Sequence, residues 1–207
     1  MTLETWMLFV ATVPVFMSTP GPSQLLMLSN SLGSGFRRAV FTAAGDLSAN
    51  FLQMLVAAVG LASIVASSRN VFLAVKWLGV AYLVYLGIEL ILAKPAPGEP
   101  RERSQRTSSS LYWQGFLTSA ANPKAVIFFA ALFPQFIDPG RARAPQFAAL
   151  SATYIAIDGL FLCGYGAGAD WIGRRLRPAA HAQLNRVAGS FLIGAAVLLG
   201  AKDIETR

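Results

Sequence analysis

TWMLFVATVPVFMSTPGPSQLLMLSNSLGSGFRR, residues 5–38, carries no charged side chain from Thr5 to Phe36 and stops at Arg37-Arg38. A membrane-crossing helix needs about 20 mostly apolar residues, so the stretch is long enough to span, but it is broken midway at Thr19-Pro20-Gly21-Pro22. Proline inside a helix removes a backbone donor and clashes with the preceding turn, at a cost of ~3 kcal/mol or more. In lipid the freed backbone groups find no water, so such a break survives only where protein or a wet cavity satisfies them. The expectation is two helical pieces meeting inside the protein, with Ser18 or Thr19 capping the restarted helix and proline in its first turn. That restart points free N–H groups and a partial positive charge inward, where an anion is stabilised.

The rest of the chain is punctuated the same way. Ala39 to Ser68 carries only Asp46, Asn70 to Ala93 only Lys76 and Glu89, Leu111 to Ile137 only Lys124, Ala144 to Ala169 only Asp158, and Val187 to Ala201 no charge. Six spans follow, of which the last is the shortest and draws on Leu184 to reach across. The segment KPAPGEPRERSQRTSSS (94–110), rich in Pro, Ser and Arg, reads as a solvated linker. Asp170 to Arg186 reads as a polar connector that includes His181. The chain thus divides into a first three-helix unit (1–93), the linker (94–110) and a second three-helix unit (111–207).

Composition agrees. Of 207 residues 55% are hydrophobic and only 13% charged, against roughly 25% charged in a soluble domain, and the mean hydropathy is +0.53. That excludes a soluble globule for want of surface charge, and disorder for excess of apolar residues. The net charge of +7 is held in short clusters between apolar runs, a pattern of loops facing an anionic membrane surface rather than nucleic acid. A single cysteine, Cys163, and a single histidine, His181, exclude a disulfide, a CxxC pair and a thiolate zinc site; no metal site, cofactor or catalytic residue is expected. No Lys or Arg precedes the first apolar run, which is therefore expected to remain as a span instead of being cleaved as a signal peptide.

Orientation follows from Lys and Arg in the connectors. Those after spans one, three and five hold Arg37, Arg38, Lys94, Arg101, Arg103, Arg106, Arg174, Arg175, Arg177 and Arg186. The opposite side holds half as many: Arg69, Arg141, Arg143, Lys202 and Arg207. The linker is thus expected in the cytoplasm and both termini outside.

The two halves share a plan. Each opens with a span broken at proline, Pro20-Gly21-Pro22 in one and Asn122-Pro123-Lys124 in the other, and each second span carries a lone aspartate, Asp46 or Asp158. Three spans per half force opposite insertion. The expected fold is therefore an all-α integral membrane protein of six helices in two inverted three-helix repeats, with the substrate site at the broken helices near the midplane.

Asn122 is a good N-cap and Pro123 a good first helical residue. Lys124, deep in its span, costs roughly 2.5–3.5 kcal/mol there and needs a partner or a cavity; it either adds charge to an anion site or locks an aspartate. Asp46, Asn50 and Gln53 fall on one helical face, and Tyr154, Asp158 and Tyr165 on another. Intramembrane carboxylates hold a cation, carry a proton or fix helix packing. Gly164-x-Gly166-x-Gly168 reads as a close-packing motif, and Trp6, Trp77, Trp113 and Trp171 as an interfacial belt. Anion-attracting helix starts plus a lysine, facing two carboxylates, suit a zwitterion such as an α-amino acid.

STPGPSQLLML (18–28), GFRRAVFTAAGD (35–46), WLGVAYLVYLGIEL (77–90) and ANPKAVIFFAALFPQF (121–136) together resemble the lysine exporter and homoserine/threonine exporter family. The resemblance implies a bacterial inner-membrane protein that exports amino acids or close analogues on an ion gradient, without ATP. It carries over Pro20, Gly21, Pro22, Asn122, Pro123 and Lys124 to substrate binding and Asp46 to ion coupling, while Asp158 rests on the repeat. Asn50, Gln53 and Tyr154 are supporting polar groups. The expected partners are an amino acid, a coupling ion (a proton in preference to sodium) and the bilayer, with a homodimer left open. The rivals are a cation transporter of a related family, disfavoured by Lys124, and an intramembrane enzyme, disfavoured because no histidine lies within a span.

Overall fold

The computed structural model describes residues 1–18, 21–58, 69–92, 106–138, 140–173, 175 and 178–201. Among them every regular element is helical. Helix α1 (Leu3–Ser18) is followed by α2 (Pro22–Ser34), α3 (Phe36–Ala58) and α4 (Arg69–Leu92). After the linker come α5 (Ser108–Ala120), α6 (Pro123–Ile127), α7 (Arg143–Gly173) and α8 (Pro178–Ala201). Two of these, α3 with 23 residues and α7 with 31, are long and apolar enough to cross a membrane unaided, and α1 and Val80–Glu89 are apolar but shorter.

The breaks fall where proline and glycine put them. Helix α2 ends at Gly35, whose φ of +82° lies in the region that favours glycine, and the Gly35 N–H bonds back to Ser31 O at 2.9 Å. Helix α5 starts at Ser108 because the Thr107 hydroxyl accepts from the Ser110 N–H at 3.2 Å, so helix begins within the stretch read as linker. Beyond α6 the chain stays helical but changes pitch, to a π-helix over Phe128–Leu132 and a 3₁₀ turn over Phe133–Phe136. Such pitch changes inside a span mark hinges and functional sites more often than plain helix does.

Glycines set the crossings. A Cβ on Gly45 of α3 would collide with the Tyr112 carbonyl of α5, and one on Gly115 of α5 with the Thr42 carbonyl of α3. A Cβ on Gly87 of α4 would stand 2.7 Å from Gly189 O of α8, and one on Gly189 2.5 Å from Gly87 O. Helix α7 packs on α2 through Gly166, where a Cβ would strike Met27 Cε. Between α1, α3, α7 and the π and 3₁₀ turns lies an aromatic core of Phe9, Phe128, Phe129, Phe133, Phe136 and Tyr154. Rings meet at 4.8 Å for Phe129 and Tyr154 and 5.0 Å for Phe9 and Phe136.

Three expectations need correction. Gly164 and Gly168 do not seat a helix: a Cβ on either meets open space, since both line an apolar groove between α2 and α7 while Gly166 makes the packed contact. The connector read over Asp170 to Arg186 is mostly helix, because α7 runs to Gly173 and α8 starts at Pro178, with proline in the first turn where it costs no hydrogen bond. Helix α8 thus has 24 residues rather than the short span expected. Ser18 does not cap the restarted helix; it ends α1, its hydroxyl donating to Pro14 O at 2.8 Å, and the N-cap of α2 is Gly21. Thr19 and Pro20 lie outside the described residues, as does most of the linker.

Candidate functional site

The starts of α2 and α6 face each other. Gly21 caps α2 without a side chain, and its own N–H donates to Gln24 Oε1 at 2.9 Å. Pro22 occupies the first helical position and is buried. Across from it Asn122 caps α6, its Oδ1 accepting from the Lys124 N–H at 3.1 Å, with Pro123 first in the helix. The two starts touch: Asn122 Nδ2 lies 3.4 Å from Ser23 Oγ, and a Cβ on Gly21 would come within 3.6 Å of Lys124 Cδ. Both N-termini thus turn their partial positive charge toward one region.

Between them lies a small cavity lined by Ser23, Gln24, Asn122, Lys124, Tyr154 and the two aspartates, with Phe16, Met17 and Ala125 as its apolar wall. Asp46 from α3 and Asp158 from α7 are each 2% exposed, and Asn50 joins them. Its Nδ2 donates to Asp46 Oδ2 at 2.9 Å and to Asp158 Oδ2 at 2.8 Å, and its Oδ1 accepts from Ser119 Oγ at 2.8 Å. The amide is saturated. Asp46 Oδ1 is not: it is buried with no hydrogen bond of ordinary geometry among the described residues, although the Ser23 and Ser119 hydroxyls stand nearby. A buried carboxylate oxygen without a donor is costly, and it is stabilised by a proton or a cationic ligand.

Lys124 is half-buried, with Nζ 4.6 Å from the centroid of the Phe16 ring and within electrostatic reach of Asp158. A cation over an aromatic face offsets part of its desolvation. The cavity as it stands measures about 10 Å³, near the least that one water needs and far below the size of an amino acid. The structure is therefore closed around this region.

Of the residues singled out in the sequence, Asp46, Asn50, Asn122, Lys124, Tyr154 and Asp158 line this cavity. Gly21 and Pro22 start α2 next to the lining residues Ser23 and Gln24 without lining the cavity themselves, and Pro123 opens α6. Pro20 lies outside the described residues. Gln53 points elsewhere, its Nε2 donating to Ser119 O at 3.0 Å, so it ties α3 to α5. Tyr165 faces the apolar groove instead. Sequence reasoning missed Ser23, Gln24, Phe16 and Met17, although all flank the Pro-Gly-Pro break. It also missed Ser119, which only the α3–α5 crossing brings to Asn50.

The family model for the LysE type translocator matches residues 15–203. An uncharacterized membrane protein of Vibrio cholerae is 32% identical over 200 residues, covering 96% of this chain and 98% of its own. The homoserine/homoserine lactone efflux protein of Salmonella typhimurium is 30% identical over 204 residues, 98% of this chain and 99% of its own. The leucine efflux protein of Salmonella typhi is 29% identical over 137 residues, 66% of this chain and 64% of its own. No solved structure matches the chain significantly.

Proposed function

The chain belongs to the LysE type translocator family, and from that membership we propose that it is a secondary exporter of a small amino acid or close analogue, driven by inward proton flow. Relatives named for efflux of homoserine, homoserine lactone and leucine support the substrate class. The observation that carries the mechanism is the contact of two helix starts over a cavity that also holds two bridged aspartates. A substrate carboxylate binds at the starts of α2 and α6 beside Lys124, and its ammonium displaces Asn50 from Asp46 or Asp158. Protonation of an aspartate from the outside then removes the ammonium's counter-charge and releases the substrate, and deprotonation inside resets the site.

The same proposal takes the chain as six spans in two inverted repeats, in a bacterial inner membrane with the linker in the cytoplasm. The pairing of crossings supports it. Helix α3 of the first half packs on α5, the opening piece of the second half's broken span, and α7 of the second half packs on both pieces of the first half's, α1 and α2. Helices α4 and α8 meet at Gly87 and Gly189, each facing the other's carbonyl, as two elements on a two-fold axis do.

The test is efflux from proteoliposomes loaded with labelled homoserine, threonine, leucine or lysine, with and without an acidic exterior. Saturable export of one or a few, faster when the outside is acidic, is the expected result. No export of any of them by folded protein overturns the reading.

A further inference from the structure

Arg106, at the end of the linker, makes contacts that the substrate cavity does not use. Its Nη2 pairs with Glu89 Oε1 of α4 at 2.5 Å, and its Nη1 donates to Asn30 Oδ1 of α2 at 3.2 Å and to Gln114 Oε1 of α5 at 2.9 Å. Asn30 Nδ2 in turn donates to Thr42 Oγ1 of α3 at 2.9 Å and to Gln114 Oε1 at 3.3 Å. The Tyr82 hydroxyl of α4 donates to the Gln114 carbonyl at 3.3 Å. One guanidinium thus gathers three helices, and Asn30 extends the cluster to a fourth, α3.

Its position matters as much as its bonds. Two of the helices that line the cavity, α2 and α3, also supply a cluster residue, one or two turns nearer the linker end. Thr42 precedes Asp46 by one turn, about 6 Å of rise, and Asn30 follows Ser23 by two turns, about 10 Å. On α5, which does not line the cavity, Gln114 precedes Ser119, whose hydroxyl donates to the cavity's Asn50. The cluster is therefore a lid over the cavity on the linker side. On the opposite side the aromatic core of Phe9, Phe128, Phe129, Phe133 and Tyr154 closes it. One closure is apolar packing; the other is polar, and its ion pair is partly solvated, with the two side chains 22% and 34% exposed. Ion pairs of that exposure are weak enough to break and re-form repeatedly.

We infer that the cluster of Arg106, Glu89, Asn30 and Gln114 is the linker-side gate of the transport path, a latch whose opening exposes the cavity to the compartment that holds the linker. The latch rests on the exporter reading for its purpose. Its test does not, because it measures access and needs no substrate.

In a Cys163→Ser background, Thr118→Cys places a thiol one turn further in than Gln114, at a position that is fully buried. A membrane-impermeant maleimide applied from the linker side is expected to label it slowly. Glu89→Gln and Arg106→Gln should each raise the labelling rate at least fivefold, and Glu89→Arg combined with Arg106→Glu should return it toward the parent rate. If a charge variant fails to fold, Gln114→Ala removes the bridge between Arg106 and α5 and should produce a smaller rise. Fast labelling of the parent, or unchanged rates in the folded variants, overturns the latch. A latch that opens as expected in a protein that exports no amino acid would sink the exporter reading alone.

Discussion

Asn50 and Asp158 lie 108 positions apart in sequence and 2.8 Å apart in space, with the Asn50 amide donating to the carboxylate. The same amide nitrogen holds Asp46, so one neutral side chain keeps two buried carboxylates together. Bonds to charged groups contribute more than neutral ones, and a buried charge stripped of its donor is costly. Asn50→Ala is expected to destabilise the protein by about 3 kcal/mol, seen as a fall of several degrees in Tm in detergent. Asn50→Asp should be worse, because it adds a third carboxylate where the donor stood. A Tm unchanged in both would show that the bridge contributes nothing to the closed state.

Asp158→Asn retains the shape of the side chain and an oxygen to accept from Asn50, but it cannot carry a proton. In the parent protein, acid outside should accelerate export and acid inside should slow it, since protonation removes the counter-charge that holds the substrate ammonium. Asp158→Asn should lose this dependence while still exchanging labelled for unlabelled amino acid across the membrane. Export that keeps its full response to the gradient would remove Asp158 from the coupling step. Asp46→Asn, tested in parallel, identifies which of the two carboxylates moves the proton.

The glycines divide into two groups with opposite expectations. At Gly115 a Cβ overlaps the Thr42 carbonyl, a backbone atom that cannot step aside, so Gly115→Ala should force α3 and α5 apart. The cost should be about 3 kcal/mol, the upper part of the range for overpacking. At Gly164 and Gly168 a Cβ meets open space, and alanine is favoured over glycine inside a helix by roughly 0.5–1 kcal/mol. Each of those substitutions should raise Tm or leave it unchanged. A Gly168→Ala variant that falls as far as Gly115→Ala would mean that the α2–α7 groove is filled in the folded protein.

Those glycines also show where sequence reading stopped. Spacing between charges located the apolar helices, though not the end of α7 or the start of α8, and proline located the breaks, because both act on the chain locally. Asp46 and Asn50 could be placed on one face for the same reason, one turn apart. Which of Asn50 and Gln53 faces Asp158, however, depends on how α3 sits against α5 and α7. That crossing is fixed by Gly45 and Gly115, some 70 positions apart. A small-xxx-small spacing was visible only within one segment, and there it named Gly164 and Gly168 instead of Gly166. Glu89 lies close to Lys94 in sequence, but its partner, Arg106, sits across the linker. In each case the information lay in a contact between distant segments, to which composition and period are blind.

Lys124 tests the proposed site most directly, because its two roles separate in the measurement. If it holds the substrate carboxylate, Lys124→Met should weaken binding at least tenfold, or about 1.4 kcal/mol, while Tm changes little. Methionine keeps the apolar stem against Phe16, so the packing survives and only the charge is lost. Lys124→Arg keeps the charge but brings a planar, bulkier head into a cavity of about 10 Å³, and should recover only part of the affinity. If Lys124 instead locks Asp158, Lys124→Met leaves a carboxylate buried without its counter-charge, and the penalty appears as lost stability. Combining Lys124→Met with Asp158→Asn should then restore Tm. Under the binding role the double variant stays defective in substrate affinity at normal Tm, so isothermal binding and thermal unfolding on the same three proteins decide between the two.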